Sequence, residues 1–168
     1  MKKSISFFVS IIMIICILIT SASANEYDRQ QEHQNVITDF HYIVYDKNGN
    51  VIDEGNIPGK NSRVIWEGIT LDNGDTLKLT KSNGDAFAML ADVRYDYSID
   101  LNHKATLYHY IFMSNQSASQ IIEIVDSWTT TTPFHSRAAT MSKTGYYYFT
   151  MTNYSSESVT INEVELVF

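Results

Sequence analysis

Val93 to Asp100 constrains the fold of this chain more than any other stretch. Val93, Tyr95, Tyr97 and Ile99 alternate with Arg94, Asp96, Ser98 and Asp100. Successive side chains of a strand point to opposite faces, so this period of two sorts apolar residues onto one face and polar residues onto the other. An amphipathic helix needs apolar spacings of three and four, and no window of a dozen residues beyond Val36 supplies them. Leu77 and Leu79 alternate with Thr76, Lys78 and Thr80 in the same way.

Further strands are predicted over Val36–Tyr45, Val51–Glu54, Arg63–Thr70, Ala86–Leu90, Ala105–Met113, Ile121–Ser127, Tyr146–Asn153 and Ser158–Val167. All are rich in Tyr, Ile, Val and Thr, which suit a pleated surface. Asn48-Gly49, Asn73-Gly74 and Asn83-Gly84 separate several of them as hairpin signals, because both residue types accept positive φ. Pro58-Gly59 marks another turn. The fold class is therefore all-β, an antiparallel β-sandwich or jelly roll of about nine or ten strands, with no substantial helix after the leader. In the last strand Val159 and Ile161 share a parity that Val164, Leu166 and Phe168 do not, which predicts a bulge near Asn162-Glu163. Thr129–Thr132 opens a stretch read as irregular through Pro133. Gly145 to Phe168 is similar in style to the closing strand pair of many secreted bacterial sandwich domains.

The first residues address the chain rather than fold it. Met1-Lys2-Lys3 is basic, Ser4 to Thr20 is almost wholly apolar, and Ala22-Ser23-Ala24 supplies a small-x-small cleavage pattern. That triplet reads as a secretory signal peptide over 1–24. Its apolar run is shorter than the ~20 residues of a membrane span, so no stable membrane anchor is expected. Ile15 before Cys16 does not suit lipoprotein acylation. A polar leader over 25–35 follows, and 36–168 forms a single sandwich domain. Cys16 is the one cysteine, so the mature chain has no disulfide. A thiol-free exported chain behind a short Lys-Lys start points to a Gram-positive bacterium.

The formal net charge is −7, and cleavage removes Lys2 and Lys3 as well. Such a field repels polyanions and argues against nucleic acid as a partner.

No catalytic pattern stands out. The serines lack a Gly-x-Ser-x-Gly elbow, and His33, His41, His103, His109 and His135 are widely spread without a His-x-His pair. Asp96 and Asp100 share a strand face but stand about 13 Å apart by strand rise, too far for a working carboxylate pair. Asp46-Lys47-Asn48-Gly49-Asn50 offers the alternating oxygens of a calcium loop at Asp46, Asn48 and Asn50. Val51 and Ile57 then stand where such a loop needs glycine and glutamate. Asp72 and Asp75 around Asn73-Gly74 carry the same double meaning. Both loops read first as hairpin turns; calcium is the only cofactor for which the sequence offers candidates.

The surplus is aromatic. Tyr108, Tyr110 and Phe112 share one strand face, while Leu107, His109, Ile111 and Met113 share the other. Such a strand is either covered twice or shows rings to solvent, and exposed apolar patches mark binding. Tyr146 and Tyr148 raise the same question. Trp66 alternates with Val64 and reads as core, whereas Trp128, at a strand end, reads as an exposed ring. The candidate ligand-binding set is Tyr108, Tyr110, Trp128, Tyr146 and Tyr148. These residues point to a secreted, non-catalytic binding or matrix protein whose partner is cell-wall glycan, extracellular polysaccharide or another extracellular protein. The alternatives are a membrane-active pore former using Thr129–Lys143, and a small hydrolase with a site assembled from distant residues.

Overall fold

The alternation is realised as two antiparallel sheets stacked face to face. The computed structural model describes residues 36–59 and 67–167. The signal peptide, the polar leader, Trp66 and the first half of the strand predicted over Arg63–Thr70 lie outside the described residues.

Twelve strands and no helix occur among the described residues. The five-stranded sheet is centred on β12 (Val159–Val167) and β7 (Arg94–Leu101). The other edge of β12 carries β1 (Val36–Ile37) and β4 (Ile69–Leu71), and β10 (Phe134–Thr140) lies outside β7. The seven-stranded sheet runs in the order β3 (Val51–Ile57), β2 (Phe40–Tyr45), β5 (Thr76–Lys81), β11 (Gly145–Asn153), β8 (Leu107–Ser114) and β9 (Ile121–Thr130). A short β6 (Phe87–Met89) continues the line of β5 beside β11.

One core lies between the sheets. From β7, Tyr95, Tyr97, Ile99 and Leu101 are buried, as their period requires. From β11, Phe149 lies parallel to Tyr97 with centroids 5.3 Å apart and meets Phe87 and Tyr95 edge-on. Burying a side chain of this size stabilises by roughly 1.5–3 kcal/mol, and ring pairs add to that when offset or edge-on.

The expected bulge in the last strand is present. Ile161 pairs with Leu101 and Glu163 with Asp100, so Asn162 is the extra residue. Inserting it lets Val159 and Ile161 on one side, and Val164 and Leu166 on the other, all face inward.

Two expectations need correction. The strand predicted over Val36–Tyr45 is two strands in different sheets. Val36 and Ile37 pair with the end of β12, Thr38 and Asp39 cross between layers, and Phe40 and Val44 enter the core from the other sheet. The stretch read as irregular from Thr129 contains the end of β9 and all of β10. The inward positions of β10 are His135, Arg137 and Ala139, so the apolar contrast that reveals a strand in sequence is missing. The segment invoked for a pore-forming hairpin is thus a paired strand of the sandwich, matched to β7 from Phe134 through Thr140.

Candidate functional site

β8 has two apolar faces, and they have different fates. Leu107, His109 and Ile111 turn into the core and are fully buried. Tyr108, Tyr110 and Phe112 turn outward, where no third layer covers them among the described residues. Tyr108 remains 40% exposed, and Tyr110 and Phe112 are half-buried. Residues two apart on a strand are neighbours on one face, so the three rings form a row: centroids lie 6.2 Å and 5.7 Å apart, with planes inclined by 27° and 24°. Tyr154 meets the Tyr108 end edge-on at 5.3 Å, and Tyr148 of β11 stacks on Phe112 at 5.2 Å.

Register sets what stands beside the row. Tyr110 lies opposite Thr150 of β11, Thr150 opposite Lys78 of β5, and Lys78 opposite Ile43 of β2. Tyr110 and Phe112 therefore form one wall of a groove of about 640 Å³, whose floor is β11 and β5 and whose far wall is β2, and Tyr108 continues the row beyond it. Hydroxyls line the floor at Thr76, Thr80, Thr150 and Thr152. Thr76 and Thr152 hydrogen-bond each other across the strands at 2.8 Å. This combination, apolar rings with a few placed polar groups in a concave surface, is the general form of a small-ligand site.

A loop closes one end. Asn115 Oδ1 accepts the backbone N–H groups of Ser119 and Gln120, and Ala86 N–H donates to Gln116 O. Ala118, held at φ +52°, is thereby pressed against Tyr148. Tyr148 is only 5% exposed as a result, and its hydroxyl pKa is pushed up to about 12, first by burial and then by Tyr45. Lys78 Nζ donates to Ala118 O and sits 4.6 Å from the Tyr148 ring centre, a cation–π contact.

The five rings proposed from sequence do not form one set. Tyr108, Tyr110 and Tyr148 share the groove face. Tyr146 is on that face too, 37% exposed near the start of β11, opposite Ser114. Trp128, expected as an exposed ring, is turned to the interior instead. It stacks on His109 at 4.9 Å and 3°, meets Tyr97 edge-on, and is half-buried. β9 pairs through two irregularities, between Ile111 and Phe112 and between Met113 and Ser114, that reset its faces. The two resets cancel; what the sequence does not mark is that β9 runs on to Thr130, so Trp128 is inside a strand, opposite the inward-facing His109.

Trp128 roofs a polar tier inside the sandwich. Arg137 of β10 lies 5.2 Å from its ring centre and donates to both Asp126 oxygens, at 2.9 Å and 3.2 Å. His109 Nε2 and His135 Nε2 both meet Thr130 Oγ1, at 3.0 Å and 3.2 Å. Burial, with a smaller contribution from His135, pushes His109 down to about 3, so it stays neutral.

The acidic loops fold as turns. Asp46 Oδ1 accepts from the N–H groups of Asn48 and Asn50, and Oδ2 from both side-chain amides. These donors, Asn50 foremost, hold Asp46 down at about 2. Gly49 takes φ +84° at the turn. Asp75, 6% exposed, accepts from Asp72 N–H, while Asp72 accepts from Ser158. In both loops protein donors already occupy the carboxylates proposed for calcium. No cluster of three or more His, Cys, Asp or Glu suited to a metal occurs among the described residues.

Sequence reasoning missed Lys78, the Ser117–Ser119 loop and the β2 wall. The alternation of β5 does turn Lys78 away from the core, but only the pairing order places it beside the Tyr110 row.

The sequence matches no known protein family and no curated protein. Among solved structures the chain is similar to xylanase 10B of Clostridium thermocellum, solved as CBM22-1 and GH10 modules with xylohexaose. Identity is 14%, 80% of this chain and 25% of that one are covered, and the TM-score is 0.40. A carbohydrate-binding module of class CBM4 is matched at 9% identity over 75% of this chain and 88% of its own, with a TM-score of 0.39. The C-terminal CBM6 of LamC from Zobellia galactanivorans is matched at 9% identity over 81% of this chain and 100% of its own, with a TM-score of 0.38. The chain thus spans a quarter of the xylanase chain, and its solved neighbours include carbohydrate-binding modules. At these identities the likeness concerns the β-sandwich fold alone.

Proposed function

We propose that this chain is an exported, non-catalytic glycan-binding module of the bacterial cell surface or matrix, with its ligand seated in the groove of the seven-stranded sheet. One observation carries the reading: the Tyr108–Tyr110–Phe112 row stands uncovered along a groove floored with threonine hydroxyls. Flat apolar rings meet the C–H faces of sugars, and flanking hydroxyls bond their O–H groups. Export rests on the basic start, apolar run and Ala-Ser-Ala pattern of residues 1–24. The test is co-sedimentation of the mature chain with insoluble cellulose, xylan, chitin and purified cell wall. Retention on at least one of these, reduced at least tenfold in Tyr110→Ala, is expected. No retention on any of them would overturn the reading.

A further inference from the structure

The groove has a sign that the rest of the chain does not share. The chain carries 19 acidic against 12 basic residues. Yet no Asp or Glu is among the described residues lining the groove, and Lys78 lies at its floor. Glu54, beside this face on β3, is drawn to His41 Nε2 at 3.2 Å.

Lys78 is half-buried and has no carboxylate partner among the described residues. Its contacts are one carbonyl, Ala118 O, and one ring, Tyr148. Burial accordingly pushes its pKa down, with no opposing acid to raise it. An ammonium has three N–H donors, so this cation keeps donors for a ligand after serving Ala118. Its position is fixed on two sides before any ligand arrives. The aromatic row also runs to it: Tyr108, Tyr110, Phe112 and Tyr148 follow ring to ring, and the ammonium sits on the last of them.

We propose that the groove selects an acidic glycan, its sugar rings along the Tyr108–Phe112 row and a ring carboxylate on Lys78 Nζ. This rests on the glycan-binding reading above. A charge-assisted bond formed in a half-buried groove is stronger than the same bond in open water. The net negative charge of the chain limits which acidic glycans suit it. At physiological salt, charges beyond about 8 Å are largely screened, so one carboxylate in contact with Lys78 gains more than the distant acids cost. A dense polyanion would lay its remaining charges against an acidic surface. The groove therefore fits a glycan whose uronate units are separated by neutral sugars, or a short acidic chain.

The test uses matched pairs titrated into the mature chain by calorimetry. The probes are a xylo-oligosaccharide with and without a glucuronate branch, trigalacturonate and its methyl ester, and a hyaluronan tetrasaccharide beside chitotetraose. The wild type is expected to prefer the acidic member of at least one pair by tenfold or more, as a charged hydrogen bond of about 1.5 kcal/mol requires. Lys78→Met should abolish that preference and Lys78→Arg should keep it, with thermal melts confirming that both variants fold. Equal affinity for acid and neutral members in the wild type would overturn the acidic choice while leaving the glycan reading intact. A preference that survives in Lys78→Met would also overturn it. Binding to a glycerol-phosphate polymer with none to any carboxylate-bearing glycan would overturn it in favour of a phosphodiester. Failure to bind any probe, charged or neutral, together with no retention on polysaccharide or wall, would overturn both readings.

Discussion

The two faces of β8 differ little in hydrophobicity and greatly in what meets them. Inward, Leu107, His109 and Ile111 are sealed against the opposing sheet with no accessible surface. Outward, Tyr108, Tyr110 and Phe112 stack on one another and meet Tyr154, Tyr148 and the Ala118 loop. The comparison teaches that apolar character alone does not assign a strand face to the core. The inner face uses aliphatic side chains and one neutral imidazole. The outer face uses rings, two of which carry a hydroxyl that tolerates water.

The largest effects should come from the sealed side. Phe149 lies at the centre of the core, against Tyr97, Phe87 and Tyr95. Phe149→Ala should lower the unfolding free energy by about 3–5 kcal/mol in a denaturant titration. A loss below about 1 kcal/mol would mean that the two sheets are not packed as described.

Acid should act on the same side. His109 is held down at about 3, mainly by burial, against about 6.5 in the unfolded chain. Between those values the unfolded chain binds the proton and the folded chain does not. Stability therefore rises with pH across this window and is lost as pH falls through it. His135 is shifted the same way by burial. From pH 6.5 to 5 the unfolding free energy should drop by about 1.5–2 kcal/mol from His109 alone. His109→Leu should flatten that slope, and an unchanged slope in this variant would contradict the buried, neutral assignment.

The smallest stability effect should come from the open side. Tyr110→Ala removes a half-buried ring from an open face and should cost less than about 1.5 kcal/mol, well under the Phe149 variant. A cost near that of Phe149→Ala would mean that the outer rings hold the fold together.

Much of this contrast is legible in the sequence, because side-chain direction in a strand follows from parity. The alternation of β7, the inward turn of His109 and the bulge at Asn162 all come from counting in twos. The parts that failed lie where a strand boundary is not marked or where parity carries no contrast. Val36–Tyr45 changes sheets within one predicted strand, Trp128 is inside a β9 that runs three residues past its predicted end at Ser127, and β10 points Arg and His inward. Lys78 was visible as an outward residue, but its place beside the rings depends on β5 pairing with β11, seventy residues away, which no local pattern encodes. The open outer face was equally illegible, since the same residues would appear in a strand covered on both sides.

The central claim is that the uncovered ring row is a binding surface and not a second core. Its most direct test is affinity electrophoresis of the Tyr108→Ala, Tyr110→Ala double variant through gels containing the polysaccharide that retards the wild type. The account predicts a protein that melts cooperatively within a few degrees of the wild type and migrates as if the polysaccharide were absent. A folded double variant retarded as strongly as the wild type would contradict it.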